Sequence, residues 1–200
     1  MRFFHMILLL ATCVFGEDFV LRNENILIDK SVAKINEISG ELKAKTGAGV
    51  YVEAIEKLNA NETIGAYAKR IAGELNAPYA LLVVSSADRQ IDAVISPDLE
   101  DQIDKGDILC ITPGCPVIPL IAEHRRDISI NQQISAGIFN GVAYITDTIA
   151  EKRGVTLESS VGSGSQNFSV ALTWVVKIMV LLTLAGLVVA WRRSKTEGKY

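Results

Sequence analysis

The chain has 200 residues, 49% of them hydrophobic and 22% charged, with a formal net charge of −3. Its mean hydropathy is +0.27 and its pI is near 5.5. This composition excludes a disordered chain, a collagen-like chain and a disulfide-dense miniprotein, and the acidic balance argues against nucleic acid as a partner.

Residues 1–16 read as a secretory signal peptide. Arg2 supplies the positive start, an apolar run follows, and Val14-Phe15-Gly16 ends in a small residue. Cleavage is placed after Gly16, with Ala11 as a competing site. Cys13 hints at a lipoprotein box, but Thr12 is a poor residue before a lipidated cysteine. The run is shorter than the ~20 residues that cross a bilayer, which disfavours an uncleaved anchor.

The next elements alternate between helix and strand. Asp29 is placed as the cap of a helix over 29–45, with Val32, Ile35, Ile38 and Leu42 near one face and Gly47 closing it. Residues 49–55 read as a strand. Asn61 or Thr63 caps the next helix, where Ile64, Tyr67, Ala68, Ile71 and Leu75 keep helical spacing, and Pro78 punctuates its end. A buried strand over 79–86, a polar turn at Ala87-Asp88-Arg89 and a partner strand over 90–95 follow. An acidic segment over 97–107 holds one helical turn or two. A short helix over 117–124 precedes a long one over 130–153. An isoleucine-rich stripe runs along the long helix, and Gly137 and Gly141 offer a neighbouring backbone a close approach. The pattern is that of an α/β protein, a small mixed β-sheet covered by helices.

Residues 154–169, containing Gly162-Ser163-Gly164-Ser165, read as a flexible linker. Residues 170–191 form a second apolar run, bracketed by Trp174 and Trp191 and followed by Arg192, Arg193 and Lys195. Its 22 residues span ~33 Å at ~1.5 Å each, enough to cross a bilayer as one transmembrane helix. The basic flank then leaves a cytoplasmic tail at 192–200. Lys177 either snorkels to the outer interface or makes a polar contact with a partner helix. Residues 17–169 carry 14 basic and 22 acidic side chains, a net of −8, so an acidic domain at 17–153 is exported on a single anchor. The compartment is read as periplasmic.

The catalytic inventory is thin. His124 is the only histidine outside the signal segment, no nucleophile elbow, phosphate loop or paired-histidine zinc motif accompanies it, and it reads as a surface residue beside Arg125 and Arg126. That arginine pair could bind an anion, though a plain surface pair is the simpler reading. Cys110 and Cys115 flank a turn-prone Pro113-Gly114, and export favours a disulfide between them over a redox pair or a paired-thiolate metal site. Asp88, Asp98, Glu100 and Asp101 are candidate ligands for Ca²⁺ or Mg²⁺, because hard cations take several oxygen donors and these carboxylates lie close in sequence. The competing reading is a solvated acidic face. Asn61 and Asn167 open glycosylation sequons, relevant only in a eukaryotic secretory pathway.

Four stretches together resemble the TPM domain family of exported or luminal domains. They are "NENILIDKSVAKINEISGELKAKTGAGVYVEAI", "ETIGAYAKRIAGEL" with its Tyr67-Ala68, "ALLVVSSADRQIDAVISPDLED" with Asp88-Arg89 and Leu99-Glu100, and "ISAGIFNGVAYITDTI". The resemblance spans residues 23–153. It implies a three-layer α/β/α sandwich. It further implies either an accessory role in the assembly, repair or stabilisation of a membrane protein complex, with divalent-cation binding in some members, or a metal-assisted acid phosphatase. Carried over by position, Asp88 and Glu100 fall near the family's site, while Asp98 and Asp101 are additions from this sequence alone. Where the family carries a glycine-tyrosine-glycine-like turn, this chain has Ser96-Pro97-Asp98, which removes glycine's backbone freedom there. The loop from Cys110 to Cys115 is also foreign to the family pattern.

Overall fold

The computed structural model describes residues 17–112, 115–118 and 128–160. The signal segment, His124, Arg125, Arg126, nearly all of the expected helix over 117–124, the apolar run with Lys177 and the tail lie outside the described residues. No helix among the described residues is long and apolar enough to cross a membrane.

Four strands, β1 (Val20–Asn23), β2 (Gly49–Ile55), β3 (Tyr79–Ser85) and β4 (Gln90–Ile95), form one mixed sheet in the order β1-β2-β3-β4. The first two pairings are parallel and the last is an antiparallel hairpin. Helix α1 (Asp29–Thr46) joins β1 to β2 and helix α2 (Ile64–Ala72) joins β2 to β3. After β4 come a 3₁₀ turn (Pro97–Leu99), a single helical turn α3 (Lys105–Ile108) and the long α4 (Ile130–Lys152).

The periodicities explain the layers. Val50, Val52, Ala54, Leu82 and Ala93 alternate onto one face, and all are buried. Helices α1 and α4 lie side by side on that face, with Ile35, Ile38 and Leu42 of α1 and Ile134, Ile138, Val142, Ile145 and Ile149 of α4 turned into the core. Gly141 of α4 comes so close that a Cβ there would meet Val117 Cγ2 at 2.4 Å and Leu82 Cδ1 at 3.2 Å. Helix α2 covers β3 and β4 on the other face, where a Cβ on Gly65 would sit 3.2 Å from Asp92 Oδ2. With strand order 1-2-3 and the two crossover helices on opposite faces, the two parallel connections have opposite hand. One of them therefore departs from the right-handed rule.

Several elements differ from what the sequence pattern suggests. Strand β1 was not foreseen: it is four residues long, at the sheet edge, and its two central residues are exposed, so it carries no apolar signature. Ile28, not Asp29, occupies the N-cap of α1; Asp29 lies inside the first turn, where its charge suits the helix dipole. Thr63 rather than Asn61 caps α2, accepting a hydrogen bond from the Ala66 amide. Helix α2 stops at Ala72, short of Leu75. The expected linker does not begin at residue 154, because Leu157 is buried and residues 156–160 bond to α1 and α4.

Candidate functional site

In sheets with parallel strands, ligands bind beyond the carboxyl ends of the strands. Here β1, β2 and β3 end side by side, with Asn23 opposite Ala54 and Ile55 opposite Ser85. Each ends in a polar loop, and two carboxylates stitch the three loops together. Glu24 donates its backbone N–H to the Ala54 carbonyl at 3.0 Å, and its side chain accepts from the Glu56 amide at 2.6 Å. Asp88 accepts from the Leu58 amide at 2.7 Å and from the Ser85 hydroxyl at 2.6 Å. The Ala87 amide closes the seam onto the Glu56 carbonyl at 2.8 Å. Asn25 and Arg89 within these loops both adopt positive φ, 58° and 52°, and Asn23 holds the β1–α1 loop by accepting from the Ile26 and Leu27 amides.

These bonds set the charge of the rim. The Glu56 amide holds the Glu24 carboxyl below its usual range, against partial burial and with help from Arg22. The Leu58 amide does the same for Asp88, with help from the Ser85 hydroxyl and Lys57. Glu56, Lys57 and Arg89 project into solvent around them. The result is a rigid rim of mixed charge.

Below the rim lies a buried polar pair. Arg22, Glu53, Val83 and Asp92 align in one row across the α2 face of the sheet. Glu53 is 4% exposed and accepts a 2.5 Å hydrogen bond from the Tyr67 hydroxyl of α2. Burial and the Glu53 carboxylate push the Tyr67 phenol up to about 12. The Arg70 guanidinium stacks 4.7 Å from the Tyr67 ring centroid.

The four candidate cation ligands do not converge. Asp88 sits at the carboxyl end of β3. Asp98, Glu100 and Asp101 follow β4, whose last residue pairs with the amino end of β3. The two groups are separated by the length of a seven-residue strand, about 20 Å at ~3.3 Å per residue. Asp98, Glu100 and Asp101 are exposed. Among the described residues no group of three or more His, Cys, Asp or Glu side chains is placed to hold a metal ion. The carboxylates present therefore do not fit a shared Ca²⁺ or Mg²⁺ site.

The other two sequence features have structural roles. Ser96 replaces the flexible turn with a fixed one: its hydroxyl accepts from the Tyr79 amide and its own amide donates to the Tyr79 carbonyl, both at 2.9 Å. Cys110 and Cys115 are disulfide-bonded, with Cα atoms 5.6 Å apart. Their loop leads to Pro116, whose carbonyl accepts from Asn140 of α4, and to Val117 in the Gly141 notch. Sequence reasoning missed Glu24 and Glu53. Glu24 carried a signal, since it sits between Asn23 and Asn25 directly before a helix start. Glu53 carried one too, as a lone acid inside an apolar strand.

No family model matches the chain, and no curated protein matches it. Among solved structures, the fold is similar to the N-terminal domain of a protein from P. gingivalis, at 12% identity and a TM-score of 0.54. That match covers 68% of this chain and 85% of that one. A second similar structure is the N-terminal domain of a Corynebacterium glutamicum protein, at 11% identity and a TM-score of 0.45, covering 76% and 88%. At this identity the first likeness concerns the fold alone.

Proposed function

We propose that the chain is a TPM-like domain in a three-layer α/β/α arrangement, exported and held on one C-terminal transmembrane helix, that serves as an accessory module for a membrane protein complex. The stitched rim at the carboxyl ends of β1, β2 and β3 carries this reading. A binding face built from loops gains affinity when the loops are fixed before the partner arrives, because little ordering remains to be done. Glu24 and Asp88 fix them here. The exposed Glu56, Lys57 and Arg89 suit a partner surface of complementary charge. The signal segment, the apolar run at 170–191 and its basic flank supply the topology, with the tail at 192–200 in the cytoplasm and Lys177 available to a partner helix.

The phosphatase reading requires carboxylates gathered around a cation and positive charge facing the phosphate. Asp88 stands about 20 Å from Asp98, Glu100 and Asp101, and the rim interleaves acidic and basic groups, so the geometry favours binding over that reaction. The test is co-purification of the full chain from membranes in mild detergent, beside a Lys57→Glu, Arg89→Glu variant. The reading expects a defined membrane protein with the unaltered chain and its loss with the variant. Equal recovery of partners by both would overturn it.

A further inference from the structure

The two sulfurs of the Cys110–Cys115 disulfide stand in unlike surroundings. The chain beyond Cys115 is seated on α4: the Pro116 carbonyl accepts from Asn140 at 2.7 Å, and Val117 is fully buried against Gly141. Cys115 itself is 8% exposed. Cys110 follows α3 and is only half-buried, and the two residues after it face solvent, Ile111 with 81% of its surface open. The polar groups at the sulfurs differ as well. The Thr112 hydroxyl lies 3.1 Å from Cys115 Sγ. A disulfide sulfur carries no proton, so the hydroxyl is the donor in that contact. Cys110 Sγ instead meets an acceptor, the Asp107 carbonyl, at 3.3 Å. One sulfur therefore faces a donor and the other an acceptor.

We propose that this disulfide is a thiol–disulfide exchange site that oxidises a dithiol, with Cys110 as the sulfur attacked and Cys115 as the sulfur that leaves. Exchange needs access to the attacked sulfur, and the open side of the loop is the Cys110 side. Exchange also runs faster when the charge on the departing sulfur is stabilised. The Thr112 hydroxyl supplies this at Cys115, and its bond strengthens as charge builds there, because hydrogen bonds to ions are roughly twice as strong as neutral ones. The Asp107 carbonyl gives a departing Cys110 no such help, but it accepts from a Cys110 S–H once one has formed. In the first step a thiolate of the dithiol bonds to Cys110 Sγ, the Cys110–Cys115 bond breaks, and its electron pair goes to Cys115 Sγ. In the second, the other sulfur of the dithiol, as thiolate, attacks its mate in the mixed disulfide, and Cys110 departs with the electron pair. The dithiol closes to a disulfide and gives up two electrons and two protons, which the pair takes up as two thiols. Asn140 and the Gly141 notch hold the Cys115 side on α4 independently of the sulfur bond, so the reduced loop keeps that sulfur in place for reclosure. The proposal rests neither on the rim nor on the membrane reading.

Two measurements on the oxidised full chain in detergent micelles test the proposal, with Cys13→Ser so that only the pair reacts. The first is a brief reaction with 2-mercaptoethanol, quenched with acid, after which fragment-ion mass spectrometry locates the mixed disulfide. The adduct is expected on Cys110 in about tenfold excess over Cys115. Equal adducts, or an excess on Cys115, overturn the assignment of the attacked sulfur. The second is the rate of reduction by dithiothreitol. The folded chain is reduced without unfolding, Thr112→Val slows the reaction about fivefold, and Thr112→Ser, which restores the hydroxyl, returns it to the unaltered rate. Thr112 is exposed, so neither substitution disturbs the core. An unchanged rate in Thr112→Val overturns the role given to its hydroxyl. A pair that resists dithiothreitol until the chain is unfolded by denaturant overturns the exchange site itself.

Discussion

Glu53 and Tyr67 show what one buried acid demands of its neighbours. A carboxylate that is 4% exposed needs a donor, and the Tyr67 hydroxyl supplies it at 2.5 Å. Tyr67→Phe removes the donor and keeps the ring, so it is expected to destabilise the domain by about 1–3 kcal/mol in chemical denaturation. Glu53→Gln retains an acceptor and should cost less. Glu41 gives a prediction in pH. Burial opposes ionisation, but Lys45, the Ser159 hydroxyl and the amides of Glu158 and Ser159 outweigh it and lower the carboxyl from 4.5 to about 2. A depressed folded-state pKa adds stability that is present above about pH 4.5 and lost as the pH falls toward 2. Protection of the Glu158 amide should therefore survive at pH 4 and fade near pH 2, as followed by NMR. Loss already at pH 5 would contradict the assignment.

At the scale of elements, the sequence was legible wherever one face is buried and the run is long. Strands β2 and β4 fall where their apolar patterns place them; of the stripe expected along α4, Ile134, Ile138, Val142, Ile145 and Ile149 are buried, while Ile130 at its first turn is exposed. Legibility failed where structure comes from partners distant in sequence. Strand β1 is set by pairing with β2, and its own residues say little. Asp88 looked like a member of an acidic cluster because Asp98, Glu100 and Asp101 follow within thirteen residues. An antiparallel hairpin sends such residues to opposite ends of a sheet, which sequence proximity hides. Gly141 was legible as a point of close approach, but what approaches is the Val117 and Leu82 side chains rather than a backbone. A Cβ 2.4 Å from Val117 Cγ2 forces repacking, so Gly141→Ala should destabilise the domain by about 1–3 kcal/mol. Val117→Ala in the same chain should recover part of that loss. No recovery would mean that the crowding lies elsewhere.

The whole molecule divides by edge. The amino ends of the strands and the last turns of α1 gather the anchoring contacts: Glu17 on Lys43, Ser159 on Glu41, and Arg153 on the Thr46 carbonyl and Gln102. The carboxyl ends gather the stitched loops. The disulfide lies in the loop that brings Val117 to Gly141 in the middle of α4. A loop this short restricts few unfolded states, so replacing Cys110 and Cys115 together by Ser should lower stability by about 2 kcal/mol. It should leave the rim's amide exchange unaltered.

The division into an anchored edge and a partner-facing rim is tested most directly by site-specific photo-crosslinking of the full chain in its native membrane. A photoreactive residue would replace Lys57, Ala87 or Arg89 in the rim, or Asn76 at the opposite edge. The account predicts one defined membrane-protein adduct from the rim positions and none from position 76. An adduct from position 76 alone, or no specific adduct from any rim position, would contradict it.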